Sequence, residues 1–235
     1  MDIGILGGMG SIATLGAFEN YLNVFKAEKE WDRPRIIIDN NCTMPSRVRA
    51  ILYNENRPAL IEQMTKSIQF LITAGCTDII LACNTSHVFL PEIIKNHPEF
   101  SKYIHNIIDN TINEVSNIIT KDNVKDKKVY LLATEGTILS NVYQDNSKNI
   151  KIECNKSDFT IVREFIEAVK TNNITDDTLE HFAKFVNNLP CENVILGCTE
   201  LPVLYHKVKK KITKTVFDPI DITLKILNNK FKNQQ

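Results

Sequence analysis

Short apolar runs that end in small or polar residues alternate, along this chain, with stretches whose apolar positions recur at helical spacing. That alternation predicts strands followed by helices and a parallel α/β architecture. Ile3 to Leu6 is apolar and breaks at Gly7, Gly8 and Gly10, after which Ser11 to Phe25 places Ile12, Leu15, Phe18, Leu22 and Phe25 at helical intervals. Arg35 to Asp39 reads as a second strand, leading into a polar loop that holds Pro45, Ser46 and Arg47 and then into a helix start. Pro58 to Ala74 reads as a helix closed by Gly75, a residue type favoured just beyond a helix end. Asp78 to Ala82 is a third strand, and Cys83 to Ser86 form a turn into a helix that Pro91 opens or kinks. Ile104 to Ile108 is a fourth apolar run, and helical spacing returns from Asn110 to Ile119.

After a polar run from Thr120 to Lys128, expected to be a loop, the pattern starts again. Val129 to Ala133 is apolar and opens through Thr134, Glu135, Gly136 and Thr137 into a helix, in the place of the first half's glycine turn. Asn149 to Glu153 matches the second strand, Asp158 to Thr171 and Thr178 to Leu189 are helical, and Val194 to Gly197 matches the third strand, ending on Cys198. Thr215 to Phe217 corresponds to the short fourth run, and Asp221 to Phe231 is a terminal helix. The expected fold is therefore two pseudosymmetric Rossmann-like units, each a mostly parallel four-stranded sheet flanked by helices, with a site in the cleft between them. The division expected is residues 1–109 with 215–235, the terminal helix returning to the first unit, and residues 110–214 as the second.

The two stretches DIILACNTSHVFL and ENVILGCTELPVL carry the chemistry of this pattern. In each an apolar run stops on a cysteine, Cys83 or Cys198, at the carboxyl end of a strand, where open α/β sheets place their ligands. Amides and the positive end of a following helix dipole favour a thiolate at such a position. Two thiols facing each other across a cleft can act as a pair, one removing a proton from a carbon and the other delivering one from the opposite side. Inverting a centre next to a carboxylate in this way requires hydrogen-bond donors placed in advance for the enolate-like charge. Asn84, Thr85, Thr134, Thr137 and Thr199 are donors at strand ends in both halves.

Composition narrows the field. The chain has 235 residues, of which 43% are hydrophobic, enough for a sizeable core. Lys plus Arg and Asp plus Glu are 28 each, which gives no reason to expect nucleic acid or an anionic membrane as partner, and the basic segment Lys207 to Lys214 reads as a solvated face. No stretch approaches the roughly 20 apolar residues of a membrane helix, and the start MDIGILGG lacks the basic region of a signal peptide, so the expected location is the cytoplasm. The six cysteines show no CxxC spacing and read as reduced thiols, neither a disulfide framework nor a zinc site, with Cys42, Cys76, Cys154 and Cys191 as small buried apolar residues. The glycine turn is a weak dinucleotide fingerprint, lacking a third glycine at the required spacing, although Asp39 imitates a ribose-binding acid.

The segments ILGGMGSIAT, ACNTSH, LLATEGT and GCTELP, in this order, resemble the aspartate/glutamate racemase family, and the GGMG and GCTE segments resemble its aspartate racemase branch. The resemblance covers nearly the whole chain. It implies cofactor-independent racemisation of an acidic amino acid held between two α/β domains, with no metal, and a homodimer. By position it makes Cys83 and Cys198 the two bases. It assigns Asn84, Thr85 and Thr134 to the α-carboxylate or its pocket and Arg47 to the side-chain carboxylate. It sets Gly8, Met9 and Glu200 at the border of the cleft. Two departures concern the distal pocket: Ser46 precedes Arg47 where an aspartate is expected, and a lysine expected before a second-half helix is replaced around Phe159, with Lys156 or Arg163 as substitutes. The alternatives are a glutamate or broad-specificity racemase, an isomerase of another small dicarboxylate, and a silent amino-acid-binding homologue.

Overall fold

The computed structural model describes residues 1–121, 127–147 and 149–233. The first half runs β1 (Asp2–Gly7), α1 (Ser11–Val24), β2 (Arg35–Asn40), α2 (Arg47–Tyr53), α3 (Arg57–Thr73), β3 (Asp78–Leu81), α4 (Leu90–Asn96), β4 (Ile104–His105) and α5 (Ile107–Lys121). The second runs β5 (Lys128–Leu132), α6 (Glu135–Leu139), β6 (Lys151–Glu153), α7 (Phe159–Lys170), α8 (Asp176–Asn187), β7 (Asn193–Leu196), α9 (Leu201–Val208), β8 (Thr215–Phe217) and α10 (Pro219–Lys232). The middle of the expected loop at 120–128 lies outside the described residues. Two four-stranded sheets form, ordered β2-β1-β3-β4 and β6-β5-β7-β8, with every pairing parallel. The internal duplication is therefore real at the level of topology. Among the described residues no helix is long and apolar enough to cross a membrane.

Strand periodicity sorts the side chains into three cores. Ile3, Ile5 and Ile80 of the first sheet share one central cluster with Val129, Leu131 and Ile195 of the second, together with residues of α1, α5 and α10. The alternate positions face outward, Ile79, Leu81 and Cys83 into a first-half cluster and Val194, Leu196 and Cys198 into a second-half one. Cys83 and Cys198 lie past the last strand residues, at the ends where Thr199 Oγ1 meets the Ala82 carbonyl across the seam. Gly197 allows the end of β7 to close on β5, since a Cβ there would lie 2.6 Å from Leu131 Cδ1.

Three boundaries differ from expectation. The fourth apolar run is strand only at Ile104 and His105, because Asn106 Oδ1 accepts the Ile108 amide at 3.0 Å and starts α5 at Ile107. The turn after Cys83 continues as a 3-10 segment, Thr85–Phe89, before α4 begins at Leu90 with Pro91 in its first turn. Residues 215–217 pair with β7 and so lie in the second sheet, whereas α10 returns to pack on α1 and α5. The strand at 215–217, expected to group with the first unit, thus has its pairing partner in the second sheet.

Far from the cysteines, at the amino end of β3, the buried Asp78 carboxylate accepts from His105 Nε2 at 2.7 Å, Lys230 Nζ at 2.5 Å and Thr77 Oγ1 at 2.8 Å. It ties β3 and β4 to α10. Burial pushes this carboxyl up, but the hydrogen bonds from His105, Lys230 and Thr77 outweigh it and hold it well below its ordinary value of 3.8. The contribution to stability is complete above that ordinary value and is lost as pH falls below it toward the folded-state value. Asp78→Asn should lower unfolding free energy by about 2 kcal/mol at neutral pH. Measured by urea unfolding, the variant should also lose less stability than wild type between about pH 5 and pH 2, where the unfolded wild-type chain takes up a proton at Asp78 while the native carboxylate stays ionised.

Candidate active site

β3 and β7 lie next to the central strand of their sheets, and their carboxyl ends deliver Cys83 and Cys198 to the seam between the halves. Both are buried, at 8% and 7% exposure. The chain segments that carry them are hydrogen-bonded to one another: Thr199 Oγ1 donates to the carbonyl of Ala82 at 3.1 Å, linking the residue after one cysteine to the residue before the other. Cys83 also acts electrostatically on Cys198.

The surroundings of the two thiols differ. Ser86 Oγ donates to the Cys83 carbonyl at 2.6 Å, and His87 Nδ1 lies 2.9 Å from the same oxygen. The Ile107 amide approaches His87 Nε2 at 3.4 Å, so the ring is held as the Nδ1–H tautomer. Burial lowers its pKa to about 4, despite hydrogen bonds to the backbone of Cys83 and Asn84 that oppose the shift, so His87 is neutral at physiological pH. At Cys198 a carboxylate replaces the imidazole: Sγ donates to Glu200 Oε2 at 2.9 Å. The Glu200 side chain is buried, and among the described residues its Oε1 has no hydrogen-bond partner. It packs on Gly10, where a Cβ would stand 2.2 Å from Oε1, so a side chain at Gly10 would displace it from the amino end of α1.

Burial, followed by the Glu200 carboxylate, pushes the Cys198 thiol well above its ordinary value, and the Glu200 amide that donates to the sulfur does not reverse this. The expectation that a strand-to-helix position favours the thiolate is corrected here. The amide effect exists, but desolvation and a buried negative neighbour are larger. Lys170, at the end of α7, is the cation that answers this charge. Partial burial disfavours its ammonium, but Glu200, the Cys198 sulfur and Glu167 outweigh that and hold its pKa above the usual lysine range.

The donors expected around a carboxylate come together. Thr85 Oγ1 lies 3.0 Å from Thr134 Oγ1 and 2.8 Å from Thr137 Oγ1, and the latter two are 3.1 Å apart, a closed triangle of hydroxyls across the two halves. Thr134 also caps α6, accepting from the Thr137 amide. Asn84 is buried, its Oδ1 accepting from Tyr143 Oη at 2.5 Å, while its Nδ2 has no hydrogen-bond partner among the described residues. Tyr143 lies in a polar stretch to which no element was assigned from sequence.

Other expected residues take structural contacts. Thr199 uses its hydroxyl on Ala82. Arg47 donates to the carbonyls of Met9 at 2.7 Å and Pro45 at 3.1 Å, bracing the glycine turn against the loop after β2. Ser46 caps α2 through the Arg49 amide. Gly8 has φ +77°, and a Cβ there would meet the Asn41 backbone at 2.2 Å. Phe159 opens α7 and packs on the central core, and Arg163 pairs with Glu135. Lys156 lies in the 3-10 segment before α7, and another lysine, Lys170, stands at the other end of that helix. Val162, Ile166 and Lys170, at i, i+4 spacing, line one wall of a cleft of about 480 Å³ whose other walls include Ser46, Val48 and Thr134. That spacing is the sequence signal that would have found Lys170. A second cavity of about 520 Å³, between α1 and α9, reaches Thr199 and Asp218, and neither cavity is lined by Cys83 or Cys198.

Of the remaining thiols, Cys76 and Cys191 are buried as expected, whereas Cys42 is exposed and hydrogen-bonded with Asn40 and Ser11, and Cys154 is half-buried. Among the described residues no group of three His, Cys, Asp or Glu side chains is arranged to hold a metal ion.

Residues 6–227 match the family profile described as Asp/Glu/Hydantoin racemase. The aspartate racemase of Picrophilus torridus superposes with a TM-score of 0.79 at 27% identity, over 98% of this chain and 94% of that one. A broad-specificity amino-acid racemase of Bacillus subtilis is 27% identical over 219 residues, 89% of this chain and 90% of that protein. A glutamate racemase of Fusobacterium nucleatum is 26% identical over 163 residues, 68% of this chain but 59% of its own length.

Glu200→Gln keeps the size of the side chain and removes its charge, so the Cys198 pKa should fall and its thiolate fraction rise at fixed pH. Alkylation of Cys198 by iodoacetamide at about pH 8, read by peptide mass spectrometry, should then be on the order of tenfold faster than in wild type. An unchanged rate would show that burial alone sets the thiol.

Proposed function

Because this chain belongs to the Asp/Glu/Hydantoin racemase family, we propose that it interconverts the enantiomers of an acidic amino acid, aspartate first, by proton transfer between Cys83 and Cys198 without a cofactor. The observation that carries this reading is the pair of buried thiols at equivalent strand ends, joined across the seam by the Thr199–Ala82 hydrogen bond.

In this reading the substrate's α-carbon lies between the two sulfurs. One cysteine, as thiolate, takes the α-proton, and the other, as thiol, returns a proton to the opposite face of the planar carbanion. Cys198 is suited to the donor role because burial and the Glu200 carboxylate keep it protonated until the carbanion forms, when its S–H turns from Glu200 to the α-carbon. For the reverse direction Glu200 is the acceptor that converts Cys198 to the thiolate. Asn84 Nδ2 and the hydroxyls of Thr85 and Thr134 hold the α-carboxylate, where charge grows as the proton leaves. The hydroxyl triangle keeps these donors in place, and a bound carboxylate replaces one of its internal contacts. Lys170, with its positive charge at the cleft wall, takes the side-chain carboxylate.

The Picrophilus likeness supports aspartate. Glutamate or a broader range is the second reading, favoured by the Bacillus relative and by Arg47, two of whose donors are already on backbone carbonyls. Incubating the protein with each enantiomer of a panel of amino acids in D2O, without added cofactor, decides between them. Aspartate should exchange its α-proton and approach a racemic mixture. Exchange of no amino acid, with or without binding, would sink the proposal. Cys83→Ser and Cys198→Ser should each abolish racemisation, and wild-type rates in either would exclude the two-thiol mechanism. Lys170→Met should raise KM for aspartate by about tenfold or more, the cost of a lost charge-assisted hydrogen bond, while leaving slow turnover of neutral amino acids unchanged.

A further inference from the structure

A carboxylate site built on an asparagine has a weakness: the amide is nearly symmetric in shape, and turned over it would present an oxygen to the substrate's carboxylate. Asn84 is one-hundredth exposed, with Nδ2 unpartnered and Oδ1 on the Tyr143 phenol at 2.5 Å. We infer that Tyr143 is a positioning residue for the α-carboxylate site, its hydroxyl proton selecting the Asn84 rotamer that offers Nδ2–H to the substrate. This rests on the racemase reading above and extends it to a residue outside the cleft wall.

The selection follows from the phenol's own needs. Tyr143 is fully buried, and Asn84 Oδ1 is the acceptor recorded for its proton among the described residues. With the amide turned over, Nδ2 would donate to Oη and the phenol proton would be left buried without an acceptor, an unfavourable loss of a hydrogen bond from a desolvated group. The phenol stays protonated, because burial, then the negative charge of Asp218 and the Cys198 sulfur, holds its pKa well above the ordinary tyrosine value. Tyr143 comes from the segment after α6 and Asn84 from the end of β3, so the donor is correctly turned only where the halves are docked.

A double-mutant cycle tests this. Tyr143→Phe, Asn84→Leu and the double variant are compared with wild type by α-proton exchange of the best substrate in D2O, reading kcat and KM separately, alongside unfolding curves. Tyr143→Phe should lower kcat/KM by between about 10-fold and 100-fold, the scale of a misplaced binding group. In the Asn84→Leu background, where there is no amide to turn, the same change should have no further effect. Replacing Tyr143 by p-aminophenylalanine, which still donates to Oδ1, should restore most of the loss. Wild-type kinetics in Tyr143→Phe, losses that multiply in the double variant, or disappearance of the cooperative unfolding transition in Tyr143→Phe would each overturn the inference and leave the racemase reading standing. Absence of exchange in wild type would overturn both.

Discussion

The geometry of this protein depends on one contact, the hydrogen bond from Thr199 to the Ala82 carbonyl. A carbonyl at the end of a parallel strand has lost its ladder partner and, once buried, must find another donor. Here the donor comes from the other sheet. Because Ala82 precedes one cysteine and Thr199 follows the other, satisfying that oxygen also fixes where the two thiols stand. The hydroxyl triangle and the Tyr143–Asn84 bond cross the same seam. The central core, drawn from both sheets and from α1, α5 and α10, holds the two edges together at the distance these bonds need.

Pseudosymmetry of the backbone does not extend to the electrostatics. Around Cys83 the polar neighbours, Asn84, Ser86 and His87, are neutral at physiological pH. Cys198 has a buried carboxylate in contact and an ammonium further out. Two chemically identical side chains in unlike environments can divide acid and base roles between them. The unpartnered Glu200 oxygen is costly to bury. Its place beside α1, with Lys170 opposite, offsets part of that cost. Gly10 is required by the same arrangement, whereas Gly7 and Gly8 are required by Thr14 and the Asn41 backbone.

Much of the architecture was legible in the sequence. Apolar runs of strand length alternate with helical spacing, and the repeat of that order is enough to predict two parallel sheets, because backbone hydrogen bonding and strand periodicity are local or nearly so. Cys83 and Cys198 stand out for the same reason: each ends an apolar run on a residue that does not continue it. Asn84, Thr85, Thr134 and Thr137 were legible as donors at strand ends, and the structure brings all four together.

Tertiary contacts decided the rest. Lys170 joins the proposed site because the packing of α7 brings its charge to bear on Glu200, a placement that the i, i+4 row of Val162, Ile166 and Lys170 suggests but does not fix. Tyr143 sits in a polar stretch, and only docking of the halves buries it against Asn84. The contacts of Arg47 with the Met9 and Pro45 carbonyls, made by the folded glycine turn and the loop after β2, were not legible from its position. The Cys198 thiol is raised rather than lowered because desolvation and a neighbouring carboxylate are properties of the packed site. Elements and their order follow from short-range pattern. Charge states and the partners of buried polar groups follow from which surfaces meet.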